Sequence, residues 1–285
     1  MRKICGSVLL LNSKRVDSFQ SIRDEEVSDL LKFISSNIRS PINHGEKIFS
    51  MTYGITARVA FGNKCKDQVQ EELITAVREG AEATGSFEEH GELEVPLTMN
   101  NIKAVLLDIF TAESETSSST VEWAMSEMLK TPRVMRKAQA EVRQAVIKET
   151  LRVHPPIPFC EIDGYGIPVK TEVIVNAWAI GRDFKYWTEA ETFWPERFLD
   201  SSVDFRGTNF EFIPFGAGRR ICPGITFGIP NIELPLAQLL YHFDWKLPNG
   251  MKQEGLDMTE TFGVTVRKKE ELHLIPTPYH PEPNA

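Results

Sequence analysis

The segment Phe215-Gly216-Ala217-Gly218-Arg219-Arg220-Ile221-Cys222-Pro223-Gly224 constrains the fold more than any other part of this 285-residue chain. Its glycines and proline make it a tight loop rather than a regular element. From Ile225 to Tyr241 the sequence turns apolar and Leu-rich, which predicts a long helix. Cys222 is thereby held at a loop-to-helix junction, where the helix N-terminus favours negative charge and so favours thiolate. The glycines let backbone amides come close to the sulfur. Arg220, two residues earlier, can pair with an anionic group.

Such a loop suits a thiolate acting as the axial ligand of a haem iron, with Arg220 reaching a propionate; the plainer reading is a buried structural cysteine after a turn. The ten residues fit Phe-x-x-Gly-x-Arg-x-Cys-x-Gly at every fixed position, and here the chain resembles the cytochrome P450 family. The resemblance implies haem b as cofactor, Cys222 as its iron ligand, Arg220 as a propionate anchor, and Phe215, Gly218 and Gly224 as shapers of the haem loop.

Other possible functions fall away on composition. A net charge of −8 and the lack of a basic stripe interleaved with aromatics exclude a nucleic-acid surface. Cys5, Cys65, Cys160 and Cys222 are widely spaced, which argues against both a zinc site and a secreted disulfide framework. The apolar run Val8 to Leu11 is too short to span a bilayer, so the chain alone is expected to be soluble or peripherally attached.

The rest of the sequence predicts a mainly α fold with a minor β part. Asp24-Glu25-Glu26 precedes a periodic run, Val27, Leu30, Leu31 and Ile34, read as a helix with acidic residues in its first turn. Glu46 to Phe61 reads as a second helix capped at Gly62-Asn63, and Asp67 to Ala83 as a polar third. A long helix is expected from about Ile102 to Lys130, with a middle unusually rich in Ser, Thr and Glu. Another should run unbroken from Pro132 to Arg152, ended by His154-Pro155-Pro156. Glu161 to Ala179 and Leu256 to Ile275 carry the alternation of hairpins or small sheets, with a turn at Phe262-Gly263.

Three further stretches extend the resemblance. Glu149-x-x-Arg152 and Pro195-Glu196-Arg197-Phe198 precede the cysteine loop in the family's order, implying a buried charge cluster of Glu149, Arg152 and Arg197 with a structural role. Ala112-Glu113-Ser114-Glu115-Thr116-Ser117 resembles the oxygen-activation segment, implying proton delivery by Glu115 and Thr116. Glu113 departs from it, because the family has glycine there, opening a groove for oxygen. Arg2 matches the family's other propionate-binding arginine, whose companion Trp has no counterpart.

The closest resemblance is to plant microsomal members that oxidise terpenoids and related specialised metabolites. It implies a partial P450 fold in a single incomplete domain, with 1–96 a remnant of the N-terminal helices and 97–285 the central helix and haem-binding core. It further implies a small lipophilic substrate, an NADPH–cytochrome P450 reductase as electron donor, and the cytosolic face of the endoplasmic reticulum. The family's N-terminal anchor and several internal segments have no counterpart in this sequence. A second reading therefore stands beside the monooxygenase: a non-catalytic remnant with weak or no haem binding.

Overall fold

The computed structural model describes residues 13–61, 99–140, 143–156, 174–261, 263 and 265–279. Helices dominate: α1 (Ser13–Ser18), α2 (Gln20–Ser36), α3 (His44–Phe61), α4 (Met99–Lys130), α5 (Pro132–Ala140), α6 (Arg143–Val153), the single turn α7 (Ala177–Ile180) and α8 (Ile225–His242). Strands β1 (Ile42–Asn43), β2 (Phe243–Lys246) and β5 (His273–Pro278) make an antiparallel sheet in the order β1-β5-β2; β3 (Glu260–Thr261) and β4 (Arg267–Lys268) form a separate ribbon. Mainly α with minor β is the class the sequence predicts.

The central layer is α8 packed on α4. Phe227, Ile232, Leu236, Leu239 and Leu240 recur at helical spacing on α8, and all are buried. Pro230 and Pro235 lie within this helix without ending it. The lower half of α4 buries Val121, Ala124, Met125 and Met128 in the same core as Ile48, Met51 and Ile55 of α3. Burial of that kind stabilises by roughly 1.5–3 kcal/mol per large side chain.

The polar middle of α4 is largely buried as well, and several of its hydroxyls bond back along the helix. Thr116 Oγ1 donates to the Ala112 carbonyl at 2.6 Å, Thr120 Oγ1 to Thr116 at 2.8 Å and Ser118 Oγ to Glu115 at 3.0 Å. Back-bonding to the preceding turn removes the penalty of burying an unpaired hydroxyl.

Two expectations need correction. Helix α2 begins at Gln20, so its first turn holds no acid and Asp24-Glu25-Glu26 sit further in. Glu25 and Glu26 instead pair with Arg58, fastening α2 to α3. The run from Pro132 to Arg152 is helical on both sides of Glu141 and Val142, as α5 and α6, and those two residues lie outside the described residues. Ala177 to Ile180 is helical rather than extended, because Asn176 Oδ1 accepts the Ala179 amide at 2.9 Å and caps the turn. The polar helix at 67–83, the cap at 62–63, Glu161 to Val173 and Phe262 lie outside the described residues. Among the described residues no helix is long and apolar enough to cross a membrane.

Candidate active site

The loop ahead of α8 turns at Gly216 and Gly218, whose φ angles of 71° and 65° suit glycine above other residues. The Cys222 amide donates to the Phe215 carbonyl at 2.8 Å, closing the loop on itself. Phe215 packs edge-on against Phe205, with ring centroids 5.5 Å apart. Gly224 caps α8, and its amide donates to Cys222 Sγ at 3.4 Å. Cys222 is half-buried and is the sole cysteine among the described residues. A soft sulfur, three residues ahead of a helix and facing an amide donor, has the donor chemistry of a thiolate that binds iron. Arg220 is exposed and has no ion-pair partner among the described residues, so its guanidinium is available to a propionate. These residues fit a haem; Arg2 lies outside the described residues.

Behind the loop, Glu149 of α6 gathers three partners. Arg152 holds both carboxylate oxygens, Nε to Oε2 at 2.8 Å and Nη2 to Oε1 at 2.7 Å. Arg197 Nε reaches Oε1 at 3.2 Å, and the Trp194 amide reaches the same atom at 2.8 Å. The Glu149 and Arg152 side chains are fully shielded from solvent. Arg152 also donates to the carbonyls of Gly181, Ala190 and Thr192, tying α6 to the segment that leads into the cysteine loop. Gly181 is required here, since a Cβ would lie 2.4 Å from the Arg152 carbonyl oxygen. Gly181→Ala is expected to lower stability by about 1–3 kcal/mol, read as a drop in the urea midpoint.

On α4, Glu115 is buried, and its Oε1 lies 3.0 Å from Arg267 Nε. Thr116 follows it, half-buried, with its hydroxyl turned back onto Ala112.

Glu113 points toward α8. Its Oε1 accepts from Asn231 Nδ2 at 3.0 Å and Ser117 Oγ at 3.1 Å. The carboxylate lies alongside Gly224 and Gly228, where added Cβ atoms would sit 3.8 and 3.5 Å from Oε2. Loss of solvent pushes its pKa up from 4.5 to about 7, against the two hydrogen bonds, which lower it. The protonated form is therefore favoured by folding. The stability this adds is complete below pH 4.5 and is lost as pH rises through about 7. In urea titrations Glu113→Gln should gain on the parent by about 3 kcal/mol between about pH 4.5 and about pH 8; a constant gap across that range would show that the carboxyl titrates normally.

Two participants escape sequence reading. Asn231, wholly buried, was signalled only by being polar within an apolar helix. Arg267 carried no local signal.

A family model for cytochrome P450 matches residues 81–275. The chain belongs to the cytochrome P450 family. Among plant relatives, desmethyl-deoxy-podophyllotoxin synthase of Sinopodophyllum hexandrum is 46% identical over 374 residues, spanning 98% of this chain and 73% of that protein. Premnaspirodiene oxygenase of Hyoscyamus muticus is 42% identical, spanning 99% and 74%. Tabersonine 6,7-epoxidase isoform 1 of Catharanthus roseus is 42% identical, spanning 97% and 72%. A zebra fish cytochrome P450 solved with progesterone superposes with a TM-score of 0.76 at 20% identity, over 92% of this chain and 78% of that one, a likeness of fold.

As a P450 of this plant group the chain is a haem-thiolate monooxygenase, and the remnant reading is not favoured. The first alignment runs over 374 positions and this P450 has 285 residues, so at least 89 positions lack a counterpart here. That agrees with the internal segments found missing from the sequence.

Proposed function

We propose that this P450 inserts one oxygen atom from dioxygen into a small lipophilic plant metabolite of terpenoid type, as a single haem-binding domain. Electrons would come from an NADPH–cytochrome P450 reductase on the cytosolic face of the endoplasmic reticulum. The observation that carries the reading is the Cys222 sulfur at the head of α8, with the Gly224 amide directed at it. Plant relatives named as an oxygenase and an epoxidase support the reaction.

Haem, when bound, supplies the redox iron that activates dioxygen. Cys222 would hold that iron, with Arg220 and Arg2 on the propionates and Phe215, Gly218 and Gly224 shaping the loop around them. The Glu115 carboxyl and the Thr116 hydroxyl would hold and pass on protons on the oxygen side, where a positioned acid is worth about 10²- to 10⁴-fold in rate. Glu149, Arg152 and Arg197 would keep the loop in register with α6 and take no part in the chemistry.

The test is the ferrous–carbon monoxide difference spectrum of the purified chain reconstituted with haem. A strongly red-shifted Soret band is expected. An unshifted band, or no haem uptake, would overturn the reading.

A further inference from the structure

Glu115, Ser119 and Trp123 are spaced four residues apart on α4 and so form one stripe, along which the C-terminal ribbon is fastened. Arg267 pairs with Glu115, Nε to Oε1 at 3.0 Å. Ser119 Oγ and Trp123 Nε1 both donate to the Val266 carbonyl, at 3.0 and 3.2 Å. The Lys268 ammonium sits 5.1 Å from the centroid of the Trp123 ring. Three consecutive residues of the ribbon, Val266, Arg267 and Lys268, thus meet three turns of the helix, and β3 braces them from behind through Thr261 opposite Arg267.

These contacts divide the labour. The shared Val266 carbonyl and the Lys268–Trp123 contact dock the ribbon, with Glu122 and Glu127 of α4 acting on the Lys268 charge and Glu122 on that of Arg267 as well. The Arg267–Glu115 pair reaches one turn further, to the acid beside Thr116. Its side chains are 29% and 9% exposed, so the pair lies at the edge of the core, where it can open to solvent without stranding a fully buried charge.

We propose that Arg267 is a positioning residue for Glu115: anchored by the ribbon, it fixes the orientation from which the carboxyl takes a proton from solvent and hands it toward Thr116. One proton enters and one leaves, with no change of oxidation state. The inference rests on the reading of Glu115 as the proton-delivery acid.

The experiment follows NADPH consumption by the haem-reconstituted full chain with a P450 reductase, in H2O and in D2O, because dioxygen must receive both electrons before protons are delivered to it. Glu115→Gln is expected to slow this consumption about tenfold and to alter its solvent isotope effect. Arg267→Gln should reproduce most of both changes, and the double variant should be no slower than Glu115→Gln. The red-shifted carbon monoxide band of Arg267→Gln should persist. If Arg267→Gln fails to take up haem, Arg267→Met replaces it with the same expectation. A parental rate and isotope effect in the Arg267 variants, with Glu115→Gln slow, overturns the inference alone. A parental rate in Glu115→Gln overturns the acid assignment and the inference with it.

Discussion

Cys222→Ser is expected to abolish the red-shifted carbon monoxide band while leaving the fold intact. A serine hydroxyl can still accept the amide of Gly224, now at hydrogen-bond distance from the sulfur. It cannot serve as a soft anionic ligand, because it keeps its proton where a thiol at a helix N-terminus loses one. Haem retention should fall sharply, and whatever haem remains should show an unshifted band. Cys222 is half-buried, so far-UV circular dichroism and the urea midpoint should move by no more than about 0.5 kcal/mol. A red-shifted band surviving in Cys222→Ser would mean that another sulfur, Cys5, Cys65 or Cys160, holds the iron.

The second large effect is on stability. Glu149→Ala leaves two guanidinium groups, on Arg152 and Arg197, facing each other without their shared carboxylate, and removes the acceptor of the Trp194 amide. Stranding buried charge in this way costs about 3–5 kcal/mol, against a total stability of about 5–15 kcal/mol for a domain. The urea midpoint should fall accordingly, and haem uptake with it, since the segment joining Gly181 to Trp194 loses its anchor. Arg197→Lys should cost less, because the bonds between Arg152 and Glu149 remain. A Glu149→Ala midpoint within about 1 kcal/mol of the parent would show that the cluster contributes no more than a surface pair.

What could be read in advance was what is local. The cysteine loop and Glu149-x-x-Arg152 are written in contiguous residues, and the structure brings each set together within a turn or two. Glu113 shows the opposite case. Its unusual identity was plain in the sequence, but the face of α4 it occupies depends on Asn231, 118 positions away. Arg267 is similarly remote from Glu115, and nothing in the spacing of either announces the other. The acidic triplet at 24–26 was misplaced as well. The helix starts at Gln20, ahead of the apolar periodicity, so the acids lie past its first turn, where Glu25 and Glu26 pair with the distant Arg58.

The position of α8 has a consequence for how the chain is made. This helix packs against α1, α2, α4, α5 and α6, yet it begins only at Ile225. A ribosome adding about 5–20 residues per second leaves roughly 10–40 s between the synthesis of Ile34 and that of Leu240. During that interval the apolar faces of the early helices, Val27, Leu30 and Ile34 among them, wait without the partner that will cover them. Closure of the core therefore waits for α8, and the early helices cannot bury these faces against it until that helix has been made.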